Sequence, residues 1–207
     1  MGKAAEAARV PFRGGPLGAG RDFTASFFSA TGTDVSFHDP EAEKLYRGFL
    51  ADSGAGALGE LTVPLVATFG FAVHFVATRH NWHPHRRADG SFPPGYLTSD
   101  LFAAVVRAWN ADAIAFYRFV TGLGVRVLAV LPPQRVPRQS DPEVFFAAQE
   151  CVREAVAATG AEIVDVRPRT AGPDRTQLPR FCLPNDEIHG NLAFGRIVLS
   201  DLLARGL

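Results

Sequence analysis

At 207 residues the chain is long enough to bury one substantial core, and a single domain spanning 1–207 is the default. Apolar residues make up 47% and charged residues 20%, which excludes a disordered chain, and no apolar stretch is long enough to cross a bilayer. The 21 basic and 21 acidic residues cancel, so there is no basic footprint for nucleic acid or for an anionic membrane surface.

Residues 3–9 are rich in Ala and Glu and predict a short helix. Val10 to Leu17 is expected to form a short strand running into a glycine-rich turn at Gly18-Ala19-Gly20. Phe27 to Phe37 predicts a hairpin that turns at Thr31-Gly32-Thr33-Asp34. Asp39-Pro40 then opens a helix, with Asp39 as N-cap, Pro40 in the first turn and Gly54 as the stop. Its expected apolar face is Leu45, Phe49 and Leu50. Leu61 to Phe69 is a continuous apolar run, as in a strand buried on both faces. Asn81 to Pro94 predicts a long surface loop. Ser99 or Asp100 caps the next helix, in which Leu101, Val105, Trp109, Phe116, Val120 and Leu123 make one apolar stripe, ended by Gly122 and Gly124.

Val125 to Leu131 reads as a strand stopped by Pro132-Pro133. Asp141-Pro142 begins a helix through Thr159, closed by Gly160, and Ala161 to Val166 is a further strand. A loop carrying Pro168, Pro173, Pro179 and Pro184 leads to a last helix from about Gly190 to Ala204. This alternation from residue 61 onward argues for an α/β fold with a mostly parallel sheet covered by helices on both faces. In such sheets a site forms at the carboxyl ends of the strands. Cys151 and Cys182 have no metal or redox spacing and read as reduced thiols. The segment Met1 to Arg9 lacks the apolar core of a signal peptide, so a cytoplasmic protein is expected.

The segment richest in chemistry is Asn185-Asp186-Glu187-Ile188-His189-Gly190-Asn191, just ahead of the terminal helix. A carboxylate three residues before an imidazole can accept its Nδ1–H, fix the tautomer, and leave Nε2 free to take a proton from a hydroxyl nucleophile. The plain alternative is a helix cap beside an incidental histidine. Position at the last loop–helix junction of an α/β chain favours the acid–base reading, with Asp186 and His189 as the pair.

This arrangement resembles the SGNH/GDSL hydrolase superfamily, whose last motif is Asp-x-x-His before a C-terminal helix. Val127-Leu128-Ala129-Val130-Leu131-Pro132-Pro133 looks like the strand before the late loop, and Ile163-Val164-Asp165 like the last strand. The likeness spans most of 61–207. It implies a three-layer α/β/α sandwich of flavodoxin-like kind and hydrolysis of a small-molecule ester or acyl substrate by a serine in a Gly-Asp-Ser motif. It also implies an oxyanion hole built from a glycine amide and an asparagine beside the serine amide. No cofactor, metal, nucleic-acid or membrane partner is implied, and the likeness is silent on oligomeric state.

The chain departs from that pattern twice. Gly-Asp-Ser is absent, and the nearest imitation, Ala51-Asp52-Ser53-Gly54, ends a helical segment rather than a strand. At the end of the 61–69 run the family carries Gly-x-Asn-Asp, whereas here stands Gly70-Phe71-Ala72-Val73, leaving His74 or Asn81 as a replacement donor. Family members begin with a strand, the serine motif and a helix. By that alignment Met1 to Arg9 resembles the helix, and Gly18 or Gly20 the glycine that donates an amide. The expectation is a chain without its first strand and nucleophile, through a late start codon or truncation, or else a non-catalytic binding protein on the same fold. An in-frame stop directly before Met1 would dispose of the first.

His80, His83 and His85 are spaced like metal ligands, but Pro84 and the flanking Arg79, Arg86 and Arg87 favour a solvated basic loop, and no metal is expected. Arg135 and Arg138 follow a strand's carboxyl end, so each is either a substrate contact or a solvated loop charge. The Gly14–Gly20 run lacks both a dinucleotide fingerprint and a Walker lysine.

Overall fold

The computed structural model describes residues Met1 to Leu207. Its α-helices are α1 (Gly2–Ala8), α2 (Pro40–Asp52), α3 (Arg79–Trp82), α4 (Asp100–Trp109), α5 (Ala111–Gly122), α6 (Pro142–Ala157), α7 (Arg167–Thr170) and α8 (Leu192–Ala204). The strands β1 (Phe28–Thr31) and β2 (Asp34–Phe37) pair antiparallel, and β3 (Leu65–Ala67), β4 (Val127–Val130) and β5 (Glu162–Val164) form a separate parallel sheet in the order β3-β4-β5. None of the helices is long and apolar enough to cross a membrane.

The central strand explains the layering. Every residue of β4 is buried, and pleating sends alternate side chains to opposite faces. Val127, Ala129 and Leu131 join the larger core with α4, α5 and α6, while Leu128 and Val130 join a second cluster with Phe194, Val198 and Leu202 of α8. Helices therefore cover both faces of the sheet. Register places Leu65 opposite Val127 and Leu128 opposite Glu162, so all three strands end on the same side of the molecule. Helix α1 lies outside this frame, pressing Ala4 and Ala5 onto Leu199 of α8.

Local chemistry accounts for the boundaries that follow the sequence reading. Asp39 caps α2 by accepting from the Ala42 amide, and Ser99 caps α4 by accepting from Phe102. Asp141 accepts from the amides of Glu143 and Val144 at the start of α6. The hairpin turns at Gly32 and Thr33, with Gly32 at φ +62°, a conformation glycine adopts without strain.

Five sequence expectations are corrected. Val10 to Leu17 is not a strand, because Pro11 and Pro16 lack donors, Gly14 sits at φ +119°, and Phe12 is drawn instead onto the α1–α8 contact. The 61–69 run yields only three strand residues, bounded by Pro64 and the Gly70 turn. It lies at the sheet edge, with Leu65 and Val66 half-buried rather than enclosed on both faces. The single helix expected from 101 to 123 is two, broken where the Asn110 side chain donates to the Val106 carbonyl and diverts that backbone acceptor. The break also rotates the buried face. Phe102 and Val106 are enclosed, whereas Leu101 is 59% exposed. On α2 the buried residues are Ala42, Tyr46 and Leu50, while Leu45 faces outward. The expected loop at 81–94 also contains part of α3 and a tight turn at His83–His85.

Candidate active site

The Asp-x-x-His segment lies in the loop between the short helical turn at Pro179–Phe181 and α8. Asn185 sits at φ +56°, a left-handed conformation that asparagine tolerates better than most residues, and this reverses the chain before Asp186. The carboxylate then turns back onto its own loop. Asp186 Oδ1 accepts from the amides of Ile188 and His189, each at 2.6 Å, and Oδ2 meets His189 Nδ1 at 2.8 Å. Those amide bonds and the imidazole contact hold the Asp186 carboxyl well below the usual carboxylate range, with the His189 amide the foremost cause. With Nδ1 donating to the carboxylate, Nε2 presents its lone pair outward and has no hydrogen-bond partner in the chain. The His189 side chain is 68% exposed.

The loop is latched from three sides. Arg135, at the carboxyl end of β4, donates to the carbonyls of Leu183 (3.3 Å) and His189 (3.1 Å) and stands 3.7 Å from Asp186 Oδ1. Its role is thus to grip the loop backbone, a third option beyond substrate contact or free charge. Asn191 caps α8 by accepting from Ala193 and Phe194, and its amide donates to the carbonyls of Arg180 and Cys182. The Leu183 amide donates to His189 O at 3.2 Å, closing the loop's neck. Gly190 is required there, because a Cβ would lie 2.7 Å from the Phe194 ring. Arg138 pairs with Glu187 at the exposed rim. The Arg135 latch has no local sequence signature, since Arg135 lies on a different element from the loop it holds, whereas the Asn before an apolar helix is the ordinary mark of a cap.

His74 lies in the turn segment after β3, at the carboxyl end of the sheet. It is 8% exposed, its Nε2 is buried without a partner, and burial together with the charge of nearby His189 pushes its pKa down. Gly20 packs where a Cβ would meet Ala72 and Phe75, and Arg21 stacks on the Phe75 ring. The other candidates are employed elsewhere. Gly18 lies against Asp22 and Phe23. Gly70, at φ +79°, is confined by Ala113 of α5 at 3.0 Å from where its Cβ would be. Asn81 donates to the Phe75 carbonyl. Ser53 ends α2, with its hydroxyl donating to Phe49 O. His80 and His83 are exposed, His85 stacks between Trp82 and Tyr96, and no three ligating side chains gather where a metal could be held.

Two shallow concavities lie away from His189. One of about 470 Å³ opens at the amino ends of β4 and β5 beside Arg118, Arg126 and Glu162. The other, about 260 Å³, lies under the hairpin among Leu17, Phe23, Phe37 and His38. Helix α1 starts against the first turn of α8, with the Met1 nitrogen next to Gly195. No protein-family profile, curated protein or solved structure matches this chain.

Proposed function

We propose that this chain carries the acid–base half of an SGNH/GDSL-type hydrolase acting on ester or acyl groups, on a three-layer α/β/α sandwich. The observation that carries the reading is the oriented pair itself. A carboxylate fixed by two amides holds Nδ1 of His189, so Nε2 is free to take a proton from an attacking hydroxyl and return it to the leaving group. Oδ2 of Asp186 is committed to the ring, and the two amide bonds to Oδ1 fix the carboxylate that holds it.

The nucleophile in this reading is not among residues 1–207. No hydroxyl or thiol meets His189 Nε2, Ser53 is tied to α2, and Cys182 turns its sulfur toward the carbonyls of Gln177 and Leu178. Two features accommodate a nucleophile placed as the family resemblance implies. The outer edge of β3 has no partner strand, and the first turn of α1 packs beside α8 close to the site loop.

The test supplies the missing group from solution. A chromogenic short-chain ester is presented with hydroxylamine as external nucleophile, and turnover above the uncatalysed rate is expected. His189→Ala should lower it by about 10²–10⁴-fold, the usual contribution of a positioned general base. Turnover that is absent, or that is equal in His189→Ala, overturns the reading. The same outcome supports its rival, a non-catalytic binding protein, which the position of both concavities away from His189 favours.

A further inference from the structure

We propose that Ser29 and His38 form a nucleophile–base pair at the root of the hairpin, a second reactive centre in which Ser29 takes a short apolar acyl group from an ester. This centre is separate from the Asp186–His189 loop, and it stands or falls independently of the hydrolase reading above.

The case starts from the direction in which the hydrogen bonds must run. His38 Nδ1 lies 3.2 Å from the Ser26 carbonyl oxygen, and its Nε2 lies 2.9 Å from Ser29 Oγ. A carbonyl can only accept, so the proton of the neutral ring sits on Nδ1. Nε2 then carries a lone pair, and the Ser29 hydroxyl donates to it. General-base activation of a hydroxyl requires this polarity, with the nucleophile on the base and the base held in its tautomer by a third group. Here the third group is a backbone carbonyl instead of a carboxylate. The Ser29–His38 contact is the only hydroxyl-to-imidazole hydrogen bond in the chain.

Strand geometry fixes both groups. Ser29 stands on β1 opposite Ser36, and the His38 amide donates to the Phe27 carbonyl at 2.9 Å, extending the β1–β2 ladder by one bond. Asp39, next in the chain, caps α2, so His38 is pinned between a strand end and a helix start. Both side chains are exposed, which leaves the hydroxyl open to a reagent from solvent. His38 also lines the concavity of about 260 Å³ under the hairpin, so one ring meets both the nucleophile and a cavity. Leu17, Phe23 and Phe37 give that cavity an apolar wall, and Asp22 and Asp39 line it without any Lys or Arg. An apolar wall suits an apolar acyl chain, and two carboxylates with no cation beside them repel an anionic one. Drug-sized ligands occupy roughly 300–1,000 Å³, so the smaller space here restricts the acyl group to a short one.

In the step, Ser29 Oγ bonds to the ester carbonyl carbon, the C=O π pair moves onto oxygen, and the hydroxyl proton passes to His38 Nε2. When the pair returns, the bond to the alcohol breaks and the alcohol leaves with that proton, giving acyl-Ser29. Water then adds to the same carbon, its proton goes to His38 and on to Ser29 Oγ, and the free acid departs.

The test treats the full chain with a short-chain alkyl fluorophosphonate, in which Oγ bonds to phosphorus and fluoride leaves, and locates the adduct by peptide mass mapping. One adduct per chain is expected, on Ser29. Its rate of formation should fall by about 10²-fold or more in His38→Ala, the loss of a positioned general base, and should be unchanged in His189→Ala. A p-nitrophenyl butyryl ester should acylate Ser29 faster than the succinyl half-ester of the same phenol. Nitrogen-detected NMR of the unaltered chain at about pH 8, where a free imidazole is neutral, should place the His38 proton on Nδ1, a readout that needs no variant to fold. No adduct on Ser29, an equal rate in His38→Ala, or the His38 proton on Nε2 overturns the proposal. Labelling that is lost in His189→Ala overturns the separation of the two centres, and a faster succinyl ester overturns the substrate class. None of these outcomes bears on turnover that depends on His189, which the hydroxylamine assay reads by itself.

Discussion

The ring cluster beneath the hairpin and the Asp186–His189 loop are built on opposite principles. Under the hairpin, Phe23, Phe27, Phe37, Phe69 and Phe116 meet at centroid distances from 4.8 to 6.4 Å, in tilted, stacked and edge-on arrangements. There many weak contacts and much buried area hold the structure, and no single angle matters. The loop at 183–191 buries little and is shaped by a few short polar bonds: an aspartate folded onto two amides, an arginine across two carbonyls, and an asparagine at a helix start. Burial gives the chain its stability and directional bonds give the site its geometry, so substitutions should separate the two properties.

The sharpest break in that contrast comes from Phe27→Ala. Phe27 is 4% exposed and touches rings on three sides, so its truncation should cost about 3–5 kcal/mol in denaturant unfolding. His189-dependent ester turnover per folded molecule should be unchanged. His189→Ala should do the reverse, leaving stability within about 0.5 kcal/mol because the ring is mostly exposed. A large fall in stability in His189→Ala would mean the loop carries more of the fold than its bonds suggest.

Arg135→Ala sharpens the comparison from the polar side. It removes the donor to Leu183 and His189 carbonyls, for an expected stability loss of about 1–2 kcal/mol. The greater effect should be loosening of the His189 ring, read as broadened NMR resonances for residues 183–191 and about a tenfold lower turnover. Unbroadened resonances would show that Asn191 and the loop's own bonds suffice.

The smallest expected effect is acid titration of the pair. Asp186 titrates below its ordinary value in the folded chain, so the stability it contributes is fully present above the unfolded carboxylate value of about 3.9. That contribution is lost only as pH falls through the lower, folded value. The Asp186–His189 contact should therefore persist at pH 4, measured by the Nδ1 proton resonance, and disappear only in stronger acid. Loss of that resonance nearer pH 5 would contradict the tight amide cradle.

Much of the fold was legible from the chain alone. Asp39, Ser99 and Asp141 as caps, the Gly32 turn, and the apolar runs around 65–67, 127–130 and 162–164 are local signals, because capping and pleating depend on neighbours in sequence. The Asp186–His189 pairing was legible for the same reason, since three residues of separation already place the two side chains within reach. Tertiary structure decided the rest. Which face of α4 is enclosed depended on one side chain at Asn110, and whether Val10 to Leu17 became a strand depended on competition between pairing and the α8 surface. That Arg135 holds the loop, and that His74 is buried with an unpartnered nitrogen, depended on where separate strand ends converge. Convergence of distant segments is set by packing of the whole core, and no spacing along the chain encodes it.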